Sequence, residues 1–415
     1  MGPHSPHTTG LVLVMVGLPA RGKTYIARKV SRFLNWLGYR ARVFNIGDYR
    51  RALLGANHNA AFFDPHNVDG IKVRGDMADS ALTDLLGWIA TGGEVAIYDA
   101  TNSTRERREK VRLRCEAAGL QVVFIESACE DERIIEANIR ETKLTSPDYV
   151  GVDPDEAVAD FRARIAHYAS VYEPLADQGD DQLSYIKLID VGRVIVVHRL
   201  DGYLPAKLLF YLLNLRVVRR KIYLTRHGES TLNREKRIGG DANLSPKGRQ
   251  YAQALSRFVA TLDPQPVVFT STLKRTIQTA APLNLPATPW RALDEIDAGV
   301  CDGMTYEEIR AKMPQEFKAR ERDKLRYRYP RGESYEDVIA RLEPVIIELE
   351  RQQQPVMVIA HQAVLRALYA YFMDKEPADV LRMDIPLHTV IELVPGPYAF
   401  SETRHPLPLF PSSVL

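Results

Sequence analysis

Cysteine is scarce in this chain. Its 415 residues contain three, Cys115, Cys129 and Cys301, and none forms a CxxC pair. That set excludes a disulfide framework and a cysteine-built zinc site. Long apolar runs are missing too: no stretch approaches the ~18 residues that span a bilayer. Charge of one sign is not in excess, since 55 basic and 53 acidic side chains leave a net +2. No overall field is therefore present to draw in nucleic acid or a membrane surface. The chain has no internal repeats and no low-complexity tracts, and its first residues lack the basic-then-apolar order of a secretory signal. These absences predict a soluble, cytoplasmic protein that binds neither nucleic acid nor membrane. Its length predicts two or three domains.

What is present is two series of short β-branched or aromatic runs alternating with helical periodicity. In the first series, 11–16, 95–98 and 122–125 read as strands, and 24–37, 78–91, 103–118 and 154–173 as helices. Segment 186–215 turns from strand-like to leucine-rich and is expected to close this half on its own core. The second series starts at Lys221, with strands at 222–224, 267–269 and 356–359 and helices at 246–262, 273–281 and 335–352. Such alternation predicts α/β domains, each with a mostly parallel sheet covered by helices on both faces. The expected divisions are a flexible tail at 1–10, a first domain at 11–218, a second at 219–399, and a surface tail at 400–415.

Each series opens on a phosphate-handling motif. Gly17, Leu18, Pro19, Ala20, Arg21, Gly22, Lys23 and Thr24 follow the first strand and spell GxxxxGKT, the P-loop. Its glycines let backbone N–H groups curl round phosphates, Lys23 lies along the β- and γ-phosphates, and Thr24 offers a hydroxyl to Mg²⁺. Asp99, ending another strand, fits the second Mg²⁺ position of an ATP-binding site, although a strand-end Asp is also a common helix cap. Behind it, Arg105, Arg107, Arg108 and Lys110 crowd a helix start that ordinarily favours acids. A bound anion in front of them would explain that, as would a solvated basic face.

In the second series, Arg226, His227 and Gly228 end a strand, and His361 ends another. Arg275 opens a helix after a third, and Glu295 lies in an acidic stretch. Parallel strands deliver their C-terminal ends to one crevice, so these groups can converge. The chemistry they suggest is attack by His227 on phosphorus. Arg226, Arg275 and His361 would neutralise the transferring group, and Glu295 would protonate the leaving oxygen.

The segments GLPARGKT, DATNSTRERR, SPDY, RHGES, IGGDANLS, TIQTA, DEIDAGVCDGMTYEEI, RYRYPRGESYEDV, RLEPVIIELE and AHQAVLRAL, in this order over about 11–395, closely resemble the 6-phosphofructo-2-kinase/fructose-2,6-bisphosphatase family. The resemblance implies a P-loop kinase domain followed by a histidine-phosphatase domain of the phosphoglycerate-mutase type. It implies ATP with Mg²⁺, fructose 6-phosphate and fructose 2,6-bisphosphate as small-molecule partners, and leaves a homodimer as an option. On the kinase side it makes Asp99 and Cys129 catalytic-site residues, although Cys129 equally suits a small buried hydrophobe. It puts Lys143 near both substrates and gives fructose 6-phosphate Arg50, Arg74, Thr101, Arg107, Arg164 and Tyr168. On the phosphatase side it adds Asn233 and Gly239 around the 2-phosphate, with Tyr306, Arg320, Lys324, Tyr335, Gln362 and Arg366 for the sugar and 6-phosphate. Segments 54–61 and 194–203 depart from the family pattern, with His198 where Asn is usual. Two weaker alternatives are one dominant activity beside a vestigial one, and a nucleotide-sensing module without turnover.

Overall fold

The computed structural model describes residues 10–56, 58–143, 147–176, 178–216, 218–396 and 399–409, with Thr142 and Lys143 described by backbone alone. Of the expected N-terminal tail, all but Gly10 lies outside the described residues. The chain divides into two compact units, 1–215 and 216–415.

The first unit is built on β1 (Leu11–Val16), β2 (Ala41–Asn45), β3 (Val95–Asp99), β4 (Gln121–Ala128), β5 (Tyr185–Ile189) and β6 (Val194–His198), in the spatial order β2-β3-β1-β4-β5-β6. All pairs are parallel except β5 with β6. Every side chain of β1 and β3 is buried. A central strand covered on both faces must read as a continuous apolar run, and LVLVMV does. The helix Lys23–Trp36 buries Ile26, Ala27, Val30, Phe33 and Leu34. The leucine-rich helix Tyr203–Asn214 closes on it through Tyr211, whose ring stacks on Phe33 at 4.2 Å. The helix expected at 78–91 is longer, Val68–Ala90, capped by Asn67 accepting from Gly70 N. Its first turns expose Val68 and Ile71 and bury Gly70, so no continuous inward apolar stripe links them to the rest of the helix.

The second unit contains β7 (Ile222–Arg226), β8 (Val267–Thr270), β9 (Ala287–Pro289), β10 (Val356–Ala360), β11 (Thr389–Pro395) and β12 (Phe400–Pro406), in the order β12-β11-β7-β10-β8-β9. β7, β10, β8 and β9 run parallel, and β11 and β12 are antiparallel. This corrects the expectation of a surface tail at 400–415: residues 400–406 pair with β11 along its whole length as an edge strand. Pro406 sits at the strand's end, where a missing N–H costs no ladder bond. Residues 410–415 lie outside the described residues. Among the described residues, no helix is long and apolar enough to cross a membrane.

In both sheets, neighbouring parallel strands end side by side. Asn45 is level with Asp99 at the ends of β2 and β3, and Ala360 is level with Arg226 at the ends of β10 and β7. The loops after these ends carry the candidate sites, where open α/β sheets bind ligands. Under the second sheet, Leu255 is wholly buried with Tyr251, Val259, Val268 and Met357. Leu255→Ala is expected to destabilise the chain by about 2–5 kcal/mol, read as a lower urea midpoint by circular dichroism.

Candidate active sites

The P-loop leaves β1 through Gly17, whose φ is +135°. A Cβ there would lie 2.5 Å from the Ser127 carbonyl oxygen, so only glycine lets the loop pass this close to the end of β4. Gly17 N donates to Thr101 O at 3.0 Å, and Ser127 Oγ donates to Arg21 O at 2.5 Å. Lys23 Nζ donates to Leu18 O at 2.6 Å, within the loop. Thr24 follows in the first turn of the helix Lys23–Trp36. Asp99 is buried at the end of β3, with its carboxylate accepting from Asn45 Nδ2 at 2.5 Å.

Around Phe63 the structure assembles a guanidinium cluster. Arg164 lies over the Phe63 ring at 3.6 Å and Arg50 at 5.6 Å, with Tyr168 at 6.0 Å. Arg50, almost wholly buried, pairs with Asp148, which also receives Arg164 at 3.9 Å. Burial and the neighbouring Arg164 hold the Arg50 pKa down. Arg74, bonded to Phe62 O, is pushed down by burial and by Arg107 and Arg164. Arg50 Nε and Nη1, Arg164 Nε and Asp148 Oδ1 are all buried without a partner. Unpaired buried donors among like charges mark a place made for an anion.

The basic helix start divides by role. Arg108 is fully buried on Asp180 and on the carbonyls of Asn102 and Glu173. Arg105 bonds Gln178 O, and Lys110 pairs with Asp79. Of these four, Arg107, with Nε on Asn102 Oδ1 at 3.1 Å, stands with the cluster beside Arg74, so neither a shared anion nor a solvated face describes the whole stretch. Cys129 is buried, and burial pushes its thiol pKa up, which leaves it protonated and a poor nucleophile. The side chain of Lys143 lies outside the described residues. His198 stacks on Tyr185 at 5.0 Å and bonds Leu183 O through Nδ1.

The second site centres on Arg275. Its Nε donates to His227 Nε2 and to His361 Nδ1, both at 3.2 Å, and its Nη1 donates to Gly240 O at 2.5 Å. His227 Nδ1 meets Gly228 O at 2.7 Å, and His361 Nε2 meets Ser271 Oγ at 2.8 Å. This network assigns opposite neutral tautomers: His227 carries its proton on Nδ1, and His361 carries its proton on Nε2. Both imidazoles are buried, and burial followed by the Arg275 charge holds both pKa values well below 6.5. The His227 Nε2 lone pair is therefore available at neutral pH.

Arg226 donates to Ile385 O at 3.2 Å, and its Nε is buried without a partner. Glu295 accepts from Ile296 N and Ala363 N at 3.0 and 3.3 Å. Asn233 forms a capping box with Ser230. Gly239, at φ +70°, precedes the carbonyl that holds Arg275. A second cluster joins Arg320 to Tyr306 and Tyr329 at 2.9 and 2.8 Å, and Arg366 to Tyr335 at 3.3 Å. Lys324 lies near both arginines, and burial with these neighbours lowers its pKa to about 8. Gln362 opens the helix after His361.

A profile of the 6-phosphofructo-2-kinase family matches residues 3–219, and one of the histidine phosphatase superfamily, branch 1, matches 222–405. The 6-phosphofructo-2-kinase/fructose-2,6-bisphosphatase of Gallus gallus is 51% identical over 389 residues, 93% of this chain and 83% of its own. The Homo sapiens protein of that name numbered 4 gives the same identity and coverage. The chain belongs to the 6-phosphofructo-2-kinase/fructose-2,6-bisphosphatase family. A solved structure of Bacillus stearothermophilus YhfR is 30% identical over 44% of this chain and 94% of its own, with a TM-score of 0.40.

For a member of this family, several residues at the sites escaped the sequence reading. Phe63 and Asp148 organise the guanidinium cluster, Tyr329 holds Arg320, and Ser271 fixes the His361 tautomer. Arg341 ties Glu333 to the carbonyls of Asp294 and Glu295 and so holds the backbone at Glu295. Ser271 alone had a local signal, its place at the end of β8.

The histidine pair makes stability depend on pH. Both folded pKa values are depressed, so the unfolded chain takes up more protons below about 6.5, and stability falls as pH drops through that value. The melting temperature is expected to fall between pH 7 and 5 in thermal scans. His361→Asn is expected to flatten that slope.

Proposed function

We infer that this chain both makes and hydrolyses fructose 2,6-bisphosphate. In the first unit, ATP phosphorylates O2 of fructose 6-phosphate. In the second, His227 removes that phosphate. The observation that carries the reading is the three-centre bond from Arg275 to two neutral histidines, on a chain whose other unit pairs a P-loop with unpaired buried arginine donors.

On the kinase side, residues 17–24 take the triphosphate and Lys23 moves from Leu18 O onto its outer phosphates. Arg50, Arg74, Arg107 and Arg164 grip the 6-phosphate, with Thr101 and Tyr168 at the sugar. Lys143 reaches both substrates, and Cys129 packs nearby as a thiol. No group of three or more His, Cys, Asp or Glu among the described residues could hold a metal alone. Mg²⁺ does not need one, because it keeps waters and shares phosphate oxygens. The Thr24 hydroxyl and the fixed, buried Asp99 carboxylate fit that demand. When bound, the ion would neutralise charge on the phosphate oxygens.

On the phosphatase side, phosphate oxygens replace the histidines as partners of Arg275, which releases the His227 Nε2 lone pair to attack phosphorus. The bond from phosphorus to O2 breaks, and Glu295 gives its proton to O2. Water, deprotonated by Glu295, then attacks phosphorus and the P–N bond breaks, restoring the enzyme. Arg226, Asn233, the Gly239 turn and His361 surround the transferring group. Tyr306, Arg320, Lys324, Tyr335, Gln362 and Arg366 hold the rest of the substrate.

With ATP, Mg²⁺ and fructose 6-phosphate, the His227→Ala protein is expected to accumulate an acid-labile bisphosphate. Adding Lys23→Met is expected to cut its formation by at least about 100-fold. A folded, ATP-binding protein that forms none would overturn the kinase reading. A phosphoprotein that persists in His227→Ala would exclude His227 as nucleophile. Because Lys324 loses its charge as pH rises through about 8, KM for the bisphosphate is expected to climb above that pH. Lys324→Arg, which stays charged, should abolish the climb in a pH series of initial rates.

A further inference from the structure

At the end of β1 the ladder runs out on the β3 side, while β4 stays paired through Val16. β3 is in register with β1 only as far as Tyr98 opposite Val14, while β1 continues through Met15 and Val16 into the P-loop. Two groups from the segment after β3 take over. Thr101 O accepts Gly17 N at 3.0 Å, and the Asn102 side chain donates Nδ2–H to Met15 O at 2.7 Å. The other end of the same side chain, Oδ1, accepts Arg107 Nε at 3.1 Å. Asn102 is wholly buried and stands at φ +43°, a backbone state that L residues seldom adopt.

That state is held from behind. Arg108, itself fully buried, donates to Asn102 O and Glu173 O, and Glu173 N donates to Ser103 O at 2.8 Å. The backbone at 102–103 is thus pinned, and the amide is fixed with its donor on the strand that feeds the P-loop. Its acceptor sits on an arginine of the sugar-phosphate cluster.

We propose that Asn102 is a positioning residue that couples the two substrate sites of the kinase unit: the triphosphate-bound position of the P-loop sets the aim of Arg107, and Arg107 in turn biases the P-loop. The proposal rests on the kinase reading above. It explains why a buried amide is spent where an apolar side chain would fill the same space. Neither end of that amide is idle, so the residue supplies a rigid link and not mere volume. Coupling of this kind is reciprocal, with each ligand tightening the other by one common factor.

The test measures fructose 6-phosphate affinity by calorimetry, with and without a non-hydrolysable ATP analogue and Mg²⁺, in the full chain. The wild type is expected to show tightening of about five- to tenfold. Asn102→Gly keeps the positive φ without strain and removes both bonds. Its coupling factor should fall to about one, with fructose 6-phosphate affinity in the presence of the analogue and analogue affinity in the presence of fructose 6-phosphate each weakened by the same factor of about five to ten. Asn102→Asp keeps the acceptor for Arg107 but cannot donate to Met15 O. It should lose the coupling while retaining the affinity for fructose 6-phosphate alone. This second variant keeps the test open if the glycine variant fails to fold. A wild type without coupling, or variants that keep the wild-type factor, would overturn the proposal. A folded, ATP-binding His227→Ala protein that forms no bisphosphate would overturn the kinase reading itself.

Discussion

The phosphatase unit depends on one bond: the Nε–H of Arg275, shared between His227 Nε2 and His361 Nδ1. A single donor at 3.2 Å from both rings requires a lone pair on each, so neither imidazole can be charged on that face. Their other nitrogens then become donors, to Gly228 O and Ser271 Oγ. A buried cation beside two buried imidazoles would be a poor arrangement for stability alone, since no described carboxylate bonds the Arg275 head directly. It becomes a sound one when a dianionic phosphoryl group arrives and gives the charge a partner. The cost of keeping the site positive and the nucleophile neutral is stability below about pH 6.5.

The kinase unit solves the opposite problem by related means. Its cations are also buried in excess, but they crowd an aromatic ring and share one carboxylate, Asp148, among Arg50, Arg51 and Arg164. Several donor atoms remain unpaired. Guanidinium groups suit this because they stay charged when buried and lie flat on an aromatic face. In both units the fold places these groups beyond the C-terminal ends of parallel strands, where loops can differ without disturbing the sheet.

How much of this could be read from the sequence depended on distance along the chain. The P-loop, Asp99, His227 and His361 were legible because each is a short motif directly after a buried strand, and the strand run reports its own position. Arg108 was misjudged with its basic neighbours because its partner, Asp180, lies 72 residues on. Ser271 finds His361 across 90 residues, and no local pattern encodes that pairing. The strand Phe400–Pro406 escaped because an edge strand needs only weak alternation, and Pro406 with Pro408 and Pro411 after it reads as a tail. The extra turns at the start of Val68–Ala90 were hidden for a similar reason: Val68 and Ile71 face solvent, and the buried positions there before Met77 are limited to Gly70, so no inward apolar stripe signals a helix.

The central claim is the pair of opposite neutral tautomers under Arg275. The most direct measurement is nitrogen-15 NMR of the histidine side chains in the ligand-free protein near pH 7, with His227 and His361 assigned by substitution. The account predicts a proton on Nδ1 of His227 and on Nε2 of His361, with both rings still neutral at pH 6. An imidazolium at either position at that pH, or the same tautomer at both, would contradict it.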